Sequence, residues 1–297
     1  MKGIPPDKLF PLFVVAGMPR GGTTFLYHNL RKHPAIFLPF RKEVNFFNVR
    51  YAKGVTWYHS LFEERKAHQT AVDISPPYFL DPLSPERIRD YNPNIKVILA
   101  VRDPIKWALS FYAQFQSFTY NMPSFAEFIG GYDYHINGKV LRIEFIDNII
   151  VDRIEHFRKV FGSNLLLYDF AFFRQNTLQI LRVIEKFNGL TPYFREGNFD
   201  DIKINASRRK NLKLLSYLLS RERLISMFLS LLPRSVTLFL RGKFDLGSSR
   251  DAYSQKEYKH PEEHIWIAEE QLGLQRDIVK KMFDSRSVQL GTGDSFP

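Results

Sequence analysis

The 297-residue chain contains no cysteine. Disulfides, thiol nucleophiles and thiolate-bound zinc are therefore excluded. The eight histidines are read as lacking both HxxxH and HExxH spacing, and no metal is expected. No uninterrupted apolar run reaches the roughly 18 residues of a membrane-spanning helix. The opening stretch MKGIPPDKLFPLFVVAG has no h-region with a small-residue cleavage site. The expectation is a cytoplasmic protein, with a peripheral place at a membrane surface as the variant. Internal repeats, low-complexity segments and a Gly/Ser linker are lacking as well, so one domain spanning 1–297 is expected. Acidic residues are in deficit: Lys and Arg number 42 against 31 Asp and Glu, a net charge of +11. That excess favours anionic partners such as nucleotides, acidic glycans, nucleic acid or an anionic lipid surface, although a soluble basic protein without such a partner has the same balance.

What is present is a globular composition, 44% hydrophobic and 15% aromatic, enough for a large core. LFVVAG is a short apolar run suited to a buried parallel strand, and TTFLYHNLRKH after it has helical spacing up to His33-Pro34. AIFLP and TAVDI are candidate second and third strands. KVILAV is the clearest strand after the first; Asp103 then caps a helix that starts at Pro104. A helix through FIDNIIVDRIEHFRKVF, a strand NLLLYDF and a helix TLQILRVIEKFNGL follow, with Gly162 and Gly189 as stops. The alternation predicts an α/β fold, a P-loop-like central parallel sheet flanked by helices. That core is expected over residues 10–205, and a helical C-terminal part over 206–297. The latter holds a Leu-rich basic stretch, predicted helical to Pro233, and a helix through EEHIWIAEEQLGLQRDIVKKMF.

VVAGMPRGGTTFLYHNL joins the first strand to the first helix through a Gly-rich turn. Such a turn offers backbone N–H groups and the positive end of a helix dipole to an anion. Gly17 and Gly22 match the glycines of G-x-x-x-x-G-K-[ST], but Thr23 stands where the lysine belongs, and the cation is Arg20, inside the loop. A triphosphatase needs that lysine on the β- and γ-phosphates. The loop therefore points to an anhydride with fewer charges and no metal; taken alone, GxxxxG also fits an ordinary βα turn. Two further constellations add weight: KEVNFF, Lys42 to Phe47, and VRDPIKWALSFY, where Arg102 ends a strand. Ligands of open α/β sheets lie at such strand ends.

With these residues in hand the chain resembles the sulfotransferases that use 3′-phosphoadenosine 5′-phosphosulfate (PAPS), in the heparan sulfate and bacterial glycan branch. GMPRGGTTFLYHNLRKHP is similar to the 5′-phosphosulfate loop, KEVNFF to the segment of the catalytic glutamate, KGVTWYHSLF to a Gly-x-x-Trp-Tyr stretch, VDISPPYF to an EKTPAYF stretch, and PERIRDYNPNIKVILAVRDPIKWALSFY to the 3′-phosphate strand and helix. The resemblance implies that Arg20 binds the 5′-phosphosulfate, with Gly21, Gly22, Thr23 and Thr24 as its cradle. It implies Glu43 as general base and Arg102 with Ser110 as the 3′-phosphate pair. It also implies a basic segment closing over the nucleotide, here Ser207, Arg208 and Arg209. PAPS would be the sulfuryl donor, and a hydroxyl on a carbohydrate or glycolipid the acceptor, with no nucleic acid partner.

The chain departs from that pattern at Ile74, where the branch has a lysine, and at Asp73, a candidate second carboxylate. Lys42 and Arg41 are candidate substitutes for the lysine. His59 and His68 flank the acceptor region. Phe46, Phe47, Trp57 and Tyr58 fit a core better than a sugar platform. The rivals to sulfuryl transfer are a P-loop kinase and a non-catalytic polyanion binder.

Overall fold

The computed structural model describes residues 10, 12–40, 42–116, 122–136, 139–200, 260–284 and 287–291. Its strands are β1 (Leu12–Gly17), β2 (Ile36–Phe37), β3 (Thr70–Ile74), β4 (Lys96–Val101), β5 (Tyr132–Ile136), β6 (Lys139–Ile143), β7 (Leu165–Asp169) and β8 (Val288–Leu290). Six of them form one sheet in the order β2-β3-β1-β4-β7-β8, and β5 pairs with β6 as a separate antiparallel hairpin. The first five strands of the large sheet run parallel. Val14 lies opposite Asp73 on one side and Val97 on the other. The alternation of strands and helices predicts this parallel body. It does not predict β8, which runs antiparallel to β7 at the edge.

Both faces of the sheet are covered, which explains why its strands read as continuous apolar runs. Leu12, Val14 and Ala16 point into one cluster with Val97, Leu99, Leu165 and Leu167. Phe13, Val15, Ile98 and Ala100, the alternate residues, are equally buried. Trp107, Phe111, Phe128 and Phe145 extend the first cluster, with the Trp107 and Phe145 rings 4.8 Å apart.

The first helix, α1 (Thr23–Leu30), leaves directly from the β1 turn. Then come α2 (Gly54–Ser60), α3 (Ser84–Tyr91), α4 (Pro104–Gln116), α5 (Phe125–Gly130), α6 (Ile149–Phe161), α7 (Phe170–Gln175), α8 (Thr177–Asn188) and α9 (Glu262–Phe283). Asp103 caps α4 as its sequence predicts: the Lys106 N–H donates to the Asp103 carboxylate at 2.9 Å. Gly162 and Gly189 close α6 and α8 in positive-φ backbone. The buried Gln275 fastens α9 to the core, accepting from the Ile150 N–H at 3.0 Å and donating to the Phe145 carbonyl. Among the described residues no helix is long and apolar enough to cross a membrane.

The chain leaves β1 toward the β2 edge, returns to β3 and then crosses to β4. Such a reversal is where open α/β sheets bind ligands, at the carboxyl ends of β1 and its neighbours. Residues 1–201 with 258–297 make one compact unit, and 202–257 a second. The second unit lies outside the described residues, together with Ser207, Arg208, Arg209 and the Leu-rich basic stretch; Arg41 also lies outside them.

Candidate active site

The loop between β1 and α1 has two tight points. Gly17 has φ 126°, and a Cβ there would sit 2.8 Å from the Ala100 backbone nitrogen of the neighbouring strand. Gly22 has φ 80°, and a Cβ there would meet the Phe170 ring at 2.8 Å. Both conditions select glycine. Between them the Gly21 N–H donates to the Met18 carbonyl at 2.9 Å, closing the turn. Thr23 and Thr24 occupy the first turn of α1, where backbone N–H groups have no helical acceptor and face an incoming anion.

Three sequence-predicted residues meet at this turn. Arg20 Nε donates to Ser110 Oγ at 3.4 Å, and Arg102 Nη1 donates to the Arg20 carbonyl at 3.1 Å. Arg102 also lies over the Phe170 ring, 5.3 Å from its centroid. Burial, then repulsion from Arg20 and Arg174, pull the Arg102 guanidinium down to about 10. A half-buried cation crowded by two others, which Asp103 offsets only in part, is a fitting receiver for a phosphate. Arg174, on α7, has no counterpart in the sequence reading, because its place depends on the β7–α7 turn.

A second group meets at the same first turn of α1. Lys42 Nζ donates to Thr24 Oγ1 at 2.8 Å and lies 3.6 Å from Glu43 Oε1. Glu43 has left-handed backbone, φ 60°, and its N–H donates to the Ile74 carbonyl at 3.2 Å. Arg50 donates to the Glu43 and Val44 carbonyls at 3.3 and 2.5 Å, fixing the same turn from behind. The loop and the carboxylate, 23 positions apart in sequence, thus share one end of α1.

Asp73 is not a second carboxylate open to this site. It is fully buried and accepts from Tyr58 Oη at 3.1 Å, Ser75 Oγ at 2.6 Å and Tyr78 Oη at 2.7 Å. Burial raises its pKa, although those hydrogen bonds oppose the rise. Tyr78 Oη in turn accepts from the N–H groups of Phe46 and Phe47, at 2.8 and 3.3 Å. Asp73 therefore anchors the segment that carries Glu43. Phe46, Phe47 and Tyr58 are core residues without exposure, and Trp57 is half-buried beneath Lys53. His59 is tied to Tyr91 Oη at 2.9 Å, and His68 is an exposed surface residue. His260 and His264 do have HxxxH spacing, contrary to the reading of the sequence above, yet the His264 ring stacks on Phe125. Among the described residues no group of three or more His, Asp or Glu is placed to hold a metal ion.

The family model described as Sulfotransferase domain matches residues 11–213, more than half of the 297. The chain belongs to the sulfotransferase domain family. Of its relatives, human heparan sulfate glucosamine 3-O-sulfotransferase 6 is 36% identical over 121 residues, 41% of this chain and 35% of that protein. The membrane-associated sulfotransferase kil1 of Dictyostelium discoideum is 37% identical over 105 residues, 34% of this chain and 22% of that protein. The chain spans about a third or less of the length of these curated relatives. Among solved structures, a sulfotransferase from Alicyclobacillus acidocaldarius aligns with a TM-score of 0.53 at 19% identity, over 71% of this chain and 91% of that one. This last likeness is one of fold. The loop, the Glu43 turn and the Arg102–Ser110 helix of this sulfotransferase-family chain all fall inside the matched residues.

Proposed function

We propose that the protein transfers a sulfuryl group from PAPS to a hydroxyl of a glycan or glycolipid, without a metal. The observation that carries this reading is the meeting at one βα turn of Arg20, Arg102 and Ser110 on one side and Lys42 and Glu43 on the other. Bound PAPS supplies a sulfate–phosphate anhydride at the 5′ position and a phosphate at the 3′ position. Arg20 and the first-turn N–H groups of α1, with Thr23 and Thr24, hold the 5′ end and stabilise charge growing on the leaving phosphate. One such contact is commonly worth about 3–4 kcal/mol. Arg102, crowded by Arg20 and Arg174 and only partly offset by Asp103, receives the 3′-phosphate with Ser110 beside it. Glu43 takes the proton of the attacking hydroxyl. Ser207, Arg208 and Arg209 belong to this proposal as further PAPS contacts. The glycan acceptor is supported by the relatives whose names place them on heparan sulfate.

A kinase reading is disfavoured by Thr23, which occupies the lysine position and is itself buried at 5% exposure. The test is transfer of radiolabelled sulfate from PAPS to heparan sulfate and a panel of other glycans. Label is expected on a glycan, and Glu43→Gln is expected to lower turnover by about 10²–10⁴-fold. The same variant keeps its affinity for adenosine 3′,5′-bisphosphate (PAP). Undiminished turnover in Glu43→Gln removes the base assignment. Magnesium-dependent ATP turnover without sulfate transfer restores the kinase.

A further inference from the structure

Lys42 lies in the wall between the anion loop and Glu43. Its side chain is only 7% exposed, whereas that of Glu43 is 36% exposed. Taking an ammonium out of water is costly unless charge and hydrogen bonds compensate. Here the compensation comes partly from two groups with opposite assignments in the reaction. Thr24 Oγ1, at 2.8 Å, belongs to the donor-binding turn; Glu43 Oε1, at 3.6 Å, belongs to the acceptor side. Consecutive residues normally point apart. Glu43 has a left-handed φ of 60° and is held by its N–H to the Ile74 carbonyl, and the side chains of Lys42 and Glu43 approach each other at the start of α1. Ile74 itself, at the position of the branch's lysine, is 2% exposed and packs in the core, so no cation comes from that position.

We infer that Lys42 is a further catalytic residue, a cation that contacts the sulfonate while it passes from donor to acceptor. The inference rests on the sulfuryl-transfer reading. In that step the acceptor oxygen forms a bond to sulfur as the bond from sulfur to the 5′-phosphate oxygen breaks. The released electron pair stays on the phosphate oxygen beside Arg20, and the hydroxyl proton goes to the Glu43 carboxylate. The non-bridging sulfonate oxygens carry negative charge throughout, and their path runs between Thr24 and Glu43, the two residues that Lys42 bridges. A lysine that only paired with Glu43 would have no use for the Thr24 contact.

The experiment compares the full-length wild type with Lys42→Met and Lys42→Arg, on the glycan that the wild type sulfates. Kinetics are measured together with PAP binding by calorimetry and melting temperature. Lys42→Met is expected to lower kcat by about 10²-fold or more, as removal of one preorganised charge contact does. PAP affinity and melting temperature stay at the wild-type value, and Lys42→Arg recovers part of kcat. A kcat within about threefold of wild type overturns the inference, since a transition-state contact is worth far more. Loss of PAP binding and of melting temperature in parallel with kcat also overturns it, by showing a structural role. A wild type that binds PAP yet moves no sulfate fails the underlying reading, and the inference falls with it.

Discussion

Among the described residues, five other than glycine have positive φ, and three of these are Asn or Asp, which tolerate it. The other two are Arg20, at 69°, and Glu43, at 60°. Each such backbone costs on the order of 1–3 kcal/mol and persists only where its surroundings hold it. The loop hydrogen bonds hold Arg20; Ile74 and Arg50 hold Glu43. That the two strained residues are the cation of the Gly-rich loop and the carboxylate that the family resemblance implies as base is an independent pointer to function. Arg102 shows the same tension in electrostatic form. Burial and the Arg20 and Arg174 cations hold its pKa down at about 10, so the charged side chain is a liability until an anion arrives. Arg102→Met removes that repulsion at the cost of one donor to the Arg20 carbonyl, and the ligand-free variant is expected to melt no lower than the wild type. The wild type should be stabilised by PAP more than by ATP, because a ligand that binds only the folded state stabilises by mass action. In Arg102→Met that preference should vanish. Differential scanning fluorimetry reads both effects; a lower melting temperature in the ligand-free variant would show that Arg102 is a structural residue.

At the scale of elements, the segment that carries Glu43 is short and irregular, so its position comes from what β3 presents to it. Tyr78 Oη accepts from two successive backbone N–H groups, of Phe46 and Phe47, and donates to Asp73. Tyr78→Phe removes one oxygen but strands two buried donors and part of a buried carboxylate. A loss of about 1–3 kcal/mol is expected for such a deletion, read as a lower urea midpoint at unchanged m-value. Turnover should fall with it while PAP affinity holds, because the loop between β1 and α1 is built separately. A variant of wild-type stability would mean that Asp73 does not act through Tyr78. This network was not legible in the sequence, where Asp73 stands out as a carboxylate near the site. Its partners depend on the pairing of Val14 with Asp73, a register that spacing does not encode. The elements that were legible are those with long runs or clear stops. LFVVAG, TAVDI and KVILAV lie within their strands, and EEHIWIAEEQLGLQRDIVKKMF coincides with α9. The hairpin of β5 and β6, the short α5 and the three-residue β8 escaped, since β8 finds its partner 122 positions away, at Gln289 opposite Leu167. The Lys42–Thr24 contact escaped for a similar reason: its partners are 18 positions apart and meet only in the folded chain.

At the scale of the whole molecule, protons act on the fold through its buried histidines. His33, from the HP pair that follows α1, is 2% exposed. Its Nδ1 accepts from the Ala35 N–H at 3.1 Å, so Nε2 carries the proton and donates to the Thr191 carbonyl at 3.1 Å. The neutral ring is satisfied on both sides. Glu185 lies 3.4 Å from Nε2, but it already accepts from the N–H groups of Tyr193 and Phe194, and burial outweighs its pull. Burial also lowers the pKa values of His59 and His260. A histidine with a folded pKa below its unfolded value of about 6.5 binds fewer protons in the native state. Its stabilising contribution is complete above that value and is lost as the pH falls from about 6.5 toward the folded pKa. Asp73 works in the opposite direction, because a carboxyl whose pKa is raised by burial favours the native state at low pH and loses that contribution as the pH rises from about 4 to the folded pKa. The histidine contributions begin to be lost just below about pH 6.5, inside the mildly acidic range, and set the expected direction there. The melting temperature is expected to fall between pH 7 and pH 5.5, and less steeply in His33→Asn. Asparagine can accept from the N–H two residues on, as an Asx-turn, and does not titrate. Equal slopes in wild type and His33→Asn would assign the acid sensitivity elsewhere and leave His33 with a packing role alone.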